Sequence, residues 1–323
     1  MAIKVLVTST SFGKVVKEPV ELLKKKGYQI IWNELGRPLK EDEVRERIQG
    51  VDAYIAGLDE ITAKAIKAAD KLKIISKYGA GVDNIDIEPA SRRKIVVTNT
   101  PGTNTEAVAD LTFGLILAVA REIPQADRST KKGEWKKFFG SAVYGKTLGI
   151  VGMGKIGKAV ARRAKGFNMR IIYWSRRRKL DIEEETGAKY TDFKFLLQEV
   201  DFVSLHLALT GETKNIMGEN EMRLIKPTTF LINTARGPLI NEDALYRCLR
   251  DRVIAGAAVD SYSDEPPQES SLFSLDNIIT TPHMGAYTYE ALRNMGMTSV
   301  ENVIDALEGR KPRYVVNPEV YQS

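Results

Sequence analysis

Thr147-Leu148-Gly149-Ile150-Val151-Gly152-Met153-Gly154-Lys155-Ile156-Gly157 is the stretch on which the fold turns. Its first five residues form an apolar run of the kind found in a strand buried on both faces. The next six are a G-x-G-x-x-G, and helical spacing follows over Lys158 to Lys165. Such a glycine string says little by itself. Between a strand and a helix it reads as the first turn of a Rossmann-type dinucleotide site. Gly152 permits the tight turn, Gly154 lets backbone approach a pyrophosphate, and Gly157 lets helix and strand pack closely. Lys155 and Ile156 lie where free N–H groups and the positive helix end would meet the phosphates. The competing reading is a glycine-rich turn without ligand.

Outward from this turn, strand and helix patterns alternate in two series. The first has strands at Lys4–Thr8, Gln29–Trp32, Ala53–Ala56, Lys73–Ser76 and Ile95–Thr98. Helical patterns lie between them at Val15–Lys26, Glu41–Ile48 and Ala63–Ala69. A long helical stretch, Asn104–Arg121, leads into the second series. Its strands are Leu148–Val151, Arg170–Trp174, Phe202–Leu205, Thr229–Asn233, Ile254–Val259 and Ile278–Thr280, and Tyr289–Glu308 reads as a closing helix. Strands alternating with helices imply parallel sheets covered on both faces. The expectation is an α/β chain of two Rossmann-like, doubly wound parallel-sheet domains with a cleft between them. Residues 1–101 plus 285–323 form a flavodoxin-like substrate domain, and residues 102–284 form the dinucleotide-binding domain.

Composition narrows the function classes. The 323 residues are 43% hydrophobic, as in ordinary globular chains. The longest apolar run, Leu111–Ala120, is too short to span a bilayer, so no membrane partner is expected. The N-terminus enters a strand pattern at once and shows no cleavable signal, and the single cysteine, Cys248, has no partner for an internal disulfide. Both point to the cytoplasm. Net charge is +6 and the isoelectric point about 9.1. Basic balance serves nucleic acids or small anions. The chain lacks aromatic-basic interleaving and zinc-type spacing, so small anions are expected, with no nucleic acid and no metal.

The strand after the glycine turn bears on the cofactor. An acid about 20 residues beyond the motif usually holds the adenosine ribose of NAD. Here the sequence runs Trp174-Ser175-Arg176-Arg177-Arg178-Lys179. Ser175 occupies the acid's place, and Arg176 and Arg177 can grip a phosphate in bidentate fashion. This favours NADP, with NAD as the alternative; the bland reading is a solvated charge run.

Nearly the whole chain resembles the D-isomer-specific 2-hydroxyacid dehydrogenases, most closely the branch of 3-phosphoglycerate dehydrogenases and hydroxypyruvate or glyoxylate reductases. The stretches that carry the resemblance are Lys77-Tyr78-Gly79-Ala80-Gly81-Val82-Asp83-Asn84-Ile85-Asp86, Asn99-Thr100-Pro101-Gly102, Gly145-Lys146-Thr147-Leu148-Gly149, Asn233-Thr234-Ala235-Arg236-Gly237, Val259-Asp260-Ser261-Tyr262 and Pro282-His283-Met284-Gly285-Ala286. No tail large enough for the regulatory domain of the longer phosphoglycerate enzymes is expected.

The resemblance implies a catalytic set of Arg236, Glu265 and His283. Reducing a 2-keto acid requires a cation for the carboxylate, a proton donor for the carbonyl oxygen and a group that keeps the donor charged. Arg236 follows a strand and offers a bidentate guanidinium. His283 is implied as general acid in reduction and base in oxidation, since imidazole titrates near neutrality. Glu265 is implied as its carboxylate partner. His206, Thr234, Ala235 and Gly285 fall near the cofactor, and Asp260 would accept from the nicotinamide carboxamide. Ala208 stands where the family usually has Pro. Lys77, Tyr78, Ala80 and Gly81 form the implied substrate loop, together with Arg236 and His283. Lys136 and Lys137 would either reach a substrate phosphate or face water, and Tyr287, where the family commonly has a small residue, would narrow or reshape the pocket against a bulky phosphorylated substrate.

The implied activity is hydride transfer between NAD(P)H and a small 2-keto or 2-hydroxy acid. Candidate acids are hydroxypyruvate, glyoxylate and the 3-phosphoglycerate type. The alternatives are a cofactor-binding sensor without turnover, as in the C-terminal-binding corepressors, a nucleic-acid binder using Arg176 to Lys179, and a formate or phosphite dehydrogenase. The family implies a homodimer. The stripe Ala107, Val108, Leu111, Leu115 and Ala118 would serve it or pack into its own chain. Domain closure about crossings near Thr100 and Gly285 would exclude water.

Overall fold

The computed structural model describes residues 2–322. In chain order the elements are β1 (Lys4–Val7), α1 (Glu18–Lys25), β2 (Gln29–Trp32), α2 (Glu41–Arg47), β3 (Ala53–Ala56), α3 (Ala63–Lys67), β4 (Ile74–Lys77), α4 (Ile87–Arg92) and β5 (Val96–Thr98). Then come α5 (Thr105–Ala120), α6 (Ile123–Lys131), β6 (Thr147–Val151), α7 (Lys155–Gly166), β7 (Arg170–Trp174), α8 (Leu180–Thr186), β8 (Lys189–Tyr190), α9 (Phe193–Glu199) and β9 (Phe202–Leu205). The last are α10 (Glu219–Met222), β10 (Phe230–Asn233), α11 (Glu242–Arg250), β11 (Gly256–Val259), β12 (Ile278–Thr280) and α12 (Tyr289–Leu307). The chain divides into two compact units, Met1–Asn104 with Tyr287–Ser323, and Thr105–Ala286.

The first unit holds a parallel sheet in the order β2-β1-β3-β4-β5. Its strands send alternate residues to two cores. Val5, Val7, Ala53, Ile55, Ile74 and Val96 join Leu23, Val300 and Val303 on one side. Leu6, Tyr54, Ile75 and Val97 join Val44, Ile66 and Ala90 on the other. That two-sided burial is why these strands read as unbroken apolar runs. α12 packs closely on α1 because Gly296 lies against Pro19; a Cβ there would stand 2.5 Å from the proline ring.

The second unit holds seven parallel strands in the order β12-β11-β10-β9-β6-β7-β8. Leu148, Ile150, Ile171, Tyr173, Phe202 and Ile232 face one core with α5 and α7. Val151, Ile172, Val203, Leu205, Leu231 and Val259 face the other with α9 and α11. Of the α5 stripe, Leu115 is buried in the first of those cores and Leu111 packs against it. The site is therefore approached from the carboxyl ends of the strands, where the connecting turns leave a parallel sheet.

Candidate active site

The turn after β6 is shaped by sterics. Gly152 has φ +104°, a conformation that side chains oppose, and a Cβ on it would lie 2.6 Å from the His206 carbonyl oxygen. A Cβ on Gly157 would lie 2.2 Å from the Gly152 carbonyl. α7 begins at Lys155, directly behind Gly154, one turn earlier than the expected Lys158. Its first turn, Lys155 to Gly157, presents the positive end of the helix at this opening. Beyond Gly154 nothing lies within 4 Å of where a Cβ would be. Anionic ligand fits this opening, and the residues present suit a dinucleotide pyrophosphate.

His206, in the neighbouring turn after β9, adds a second sign. Its Nε2 lies 2.8 Å from the Ser204 hydroxyl, while its Nδ1 is buried without a hydrogen-bond partner. Burial pushes the imidazole down to about 3, so the ring is neutral. A buried polar atom without a partner calls for a ligand or water. The sequence signal for Ser204 is a serine inside an apolar strand, two residues before a histidine.

After β7 the basic run splits in two. Arg178 folds back onto Glu183, with Nη2 to Oε2 at 2.7 Å, and this pair holds the Glu183 carboxyl below its usual range. Tyr173 also donates to Glu183 at 2.7 Å, and burial first, then Glu183, pushes its phenol up to about 12. Arg176 and Arg177 remain exposed. The Ser175 hydroxyl donates to the Arg177 carbonyl at 2.7 Å, so it shapes the turn that carries them.

The loops after β10, β11 and β12 make one braced assembly. Asn233 accepts from the Ala235 N–H at 3.1 Å and donates to the Arg236 carbonyl at 2.8 Å, closing the turn that carries Arg236. The Thr234 hydroxyl meets that of Thr112 on α5 at 2.8 Å. Gly237 abuts the backbone of Tyr262: a Cβ there would stand 1.9 Å from the Tyr262 carbonyl carbon. The Tyr262 N–H in turn donates to Glu265 Oε1 at 3.0 Å. Glu265 Oε2 lies 2.6 Å from His283 Nδ1. A continuous path thus joins Arg236 to His283 through Gly237, Tyr262 and Glu265.

Asp260 completes the bracing. Its Oδ1 accepts from the Thr281 hydroxyl at 2.6 Å and the Met284 N–H at 2.9 Å, and its Oδ2 accepts from the Gly285 N–H at 2.8 Å. The carboxylate expected to meet the nicotinamide carboxamide is buried and engaged by the loop that carries His283. Between those donors, His283 takes φ +50°, a left-handed conformation uncommon outside glycine and costly unless its surroundings hold it.

In the first unit, Lys77 is buried rather than offered outward. Its ammonium donates to Asn84 Oδ1 at 2.9 Å and to the Gly57 carbonyl. Tyr78 donates to the Leu292 carbonyl at 3.1 Å, and burial raises its phenol. The Ala80 carbonyl accepts from Asn99 at 2.7 Å; Ala80 and Gly81 are half-buried. Lys136 pairs with Glu134 at 2.7 Å, Lys137 sits 5.0 Å over the Trp135 ring, and Tyr287 is exposed. No helix among the described residues is long and apolar enough to cross a membrane.

Comparison with known proteins agrees with this architecture. Residues 113–285 match the NAD-binding domain of the D-isomer specific 2-hydroxyacid dehydrogenases. Over 288 residues the chain is 48% identical to a glyoxylate reductase of Thermococcus litoralis, spanning 86% of this chain and 87% of that one. A crystal structure of a Thermus thermophilus protein superposes with a TM-score of 0.88 at 36% identity, covering 97% of this chain and 100% of that one. An NADPH-dependent glyoxylate/hydroxypyruvate reductase of Sinorhizobium meliloti, solved with NADP and malonate, gives 0.85 at 27% identity over 98% of this chain and 97% of that one. On its sequence, its two parallel sheets and its glycine turn, this chain belongs to the D-isomer-specific 2-hydroxyacid dehydrogenases and is an oxidoreductase that uses a nicotinamide cofactor.

Proposed function

We propose that the enzyme reduces small 2-keto acids of the glyoxylate and hydroxypyruvate type and prefers NADPH. The observation that carries this reading is the 2.6 Å pair between Glu265 and His283, braced to the turn of Arg236. A bound nicotinamide supplies the hydride that adds to the keto carbon. The Arg236 guanidinium holds the substrate carboxylate and so fixes which face of the carbonyl is attacked. With Nδ1 held by Glu265, His283 gives the proton on Nε2 to the carbonyl oxygen as charge develops there. Glu265 sets the ring's tautomer and offsets its positive charge. Hydride and proton together convert the ketone to the alcohol, and the reverse path oxidises it.

The exposed pair Arg176 and Arg177 supports NADPH, since no acidic side chain stands at Ser175 to repel a ribose phosphate. The relatives named glyoxylate reductase support a short substrate. Following cofactor oxidation at 340 nm with glyoxylate, hydroxypyruvate, pyruvate and 3-phosphohydroxypyruvate tests the whole reading. Fast NADPH turnover with the first two is expected. Cofactor binding without turnover on any of them would replace it with a sensor role.

The same reading makes the protein a homodimer. Segment 132–146 carries Trp135 and Phe139, 82% and 92% exposed, and a second copy of the chain suits such aromatic surface. Light scattering should give twice the chain mass of 36.0 kDa, and Trp135→Glu with Phe139→Glu should lower it to one.

A further inference from the structure

Arg176-Arg177-Arg178-Lys179 places four cations on the turn after β7, and charges of one sign so close together repel one another. A turn of this composition takes one shape only if other groups hold it. On the near side the Ser175 hydroxyl does so, donating to the Arg177 carbonyl at 2.7 Å. On the far side the bonds converge on Glu183 of α8. Arg178 Nε donates to its Oε1 at 2.9 Å and Nη2 to its Oε2 at 2.7 Å, a guanidinium fork closed on a carboxylate. The Tyr173 phenol, on β7 ahead of the turn, donates to Oε1 at 2.7 Å.

The same phenol oxygen accepts from the Lys179 N–H at 2.7 Å, so residues 173 and 179, on either side of the arginines, are tied through one atom. Tyr173 is fully buried with its ring 5.4 Å from that of Tyr190, which fixes where that atom stands. The carboxylate of Glu183 is well covered too, its side chain 13% exposed against 60% for Arg178. α8 is in turn laced to α7. Lys158 pairs with Asp181, Arg162 Nε and Nη2 donate to the Glu185 carboxylate at 2.6 and 2.9 Å, and Lys165 donates to the Glu185 carbonyl at 2.9 Å. The anchor of the basic turn therefore stands on the helix whose first turn faces the glycine opening.

We propose that Tyr173, Arg178 and Glu183 are positioning residues: they lock the 175–179 turn so that Arg176 and Arg177 meet a ribose phosphate at a fixed reach from the α7 terminus, and discrimination between NADPH and NADH depends on that lock. This rests on the proposed preference for NADPH. Arg178 spends its fork on Glu183 and acts through the turn, not as a ligand of the phosphate. Two loose arginines would lose side-chain and backbone freedom on gripping the phosphate, and a turn already held loses less. NADH has no phosphate at that ribose, so its binding draws nothing from the lock.

The variants that decide it are Tyr173→Phe, Arg178→Met, Glu183→Gln and the Arg178→Met/Glu183→Gln double variant. NADPH and NADH affinities are read by fluorescence titration, and amide hydrogen exchange at Lys179 is followed in the cofactor-free protein. Each single variant should weaken NADPH binding by about fivefold, the upper scale of one exposed ion pair, while NADH binding holds. The double variant should lose no more than Glu183→Gln alone, since both changes break one contact. Tyr173→Phe should speed exchange at Lys179 by about fivefold, the value of one hydrogen bond. An Arg178→Met loss that persists in full in the Glu183→Gln background overturns the idea, because Arg178 would then touch the phosphate itself. Equal losses for the two cofactors overturn it as well, since the three residues would then support the fold without bearing on discrimination. So does unchanged exchange at Lys179, or NADPH affinity that stays at the wild-type level in every variant. If the wild type binds NADH as tightly as NADPH, the proposed preference fails and the part of the lock in discrimination fails with it, while exchange at Lys179 still decides whether the lock exists. Should Tyr173→Phe not fold, the more exposed Arg178→Met carries the same affinity prediction.

Discussion

The turn after β6 and the loops after β10, β11 and β12 leave the carboxyl ends of strands in one parallel sheet and are built in opposite ways. The first presents backbone. Its glycines exist to keep side chains out, and two of them sit where a Cβ would strike a carbonyl at 2.6 Å or less. The second presents side chains from three distant segments, and its accuracy comes from cross-links: Asn233 under Arg236, Gly237 against Tyr262, Asp260 across the His283 loop. A backbone site needs vacancy, whereas a side-chain site needs bracing.

The contrast is broken most sharply by His283→Ala. Removing the proposed proton donor should lower kcat by about 100-fold or more and leave NADPH affinity intact. The mirror experiment is Gly157→Ala, which forces a methyl toward the Gly152 carbonyl. Overpacking of that kind costs about 1–3 kcal/mol, so dinucleotide affinity should drop by roughly ten- to a hundredfold, read by fluorescence titration. If either variant lost both functions equally, the two regions would not be separable. Asp260→Asn sharpens the side-chain half. It places an amide donor against the N–H groups of Met284 and Gly285, so kcat should fall by about tenfold while NADPH binding stays near wild type. A primary loss of NADPH affinity would return Asp260 to the carboxamide.

What the sequence shows follows the same division. Strands buried on both faces, such as Arg170–Trp174 and Phe202–Leu205, are legible to the residue because Arg170 and Ser204 are the only breaks in their apolar runs. The glycine turn is legible because its parts are contiguous. α6 is not: it starts from Glu122 in a left-handed conformation, runs through Pro124, and buries only Ser129, so it has no apolar stripe to read. The two-residue β8 is exposed at the sheet edge and equally silent. Arg236, Glu265 and His283 are found through resemblance, but their bracing is not, since Asp260 to Gly285 and Gly237 to Tyr262 join residues about 25 apart with no periodicity to betray them. Lys77 shows the limit from the other side. A lysine at a strand end suggests an offered cation, and only the neighbouring Gly57 and Asn84 reveal that the ammonium is used internally.

The smallest expected effect tests whether the backbone site also carries a side-chain extension. Arg178 is held by Glu183, which leaves Arg176 and Arg177 on the exposed part of the turn after β7. Their guanidinium groups suit a ribose phosphate, since on the proposed reading the α7 terminus takes the pyrophosphate. Replacing both with Ala should weaken NADPH affinity by about five- to tenfold, an exposed charge-assisted contact being worth less than a buried one. NADH affinity should not move, and the NADPH loss should shrink in high salt as the charges are screened. Equal losses for the two cofactors would mean that the pair holds the turn itself, a task the structure already gives to the Ser175 hydroxyl and to Arg178.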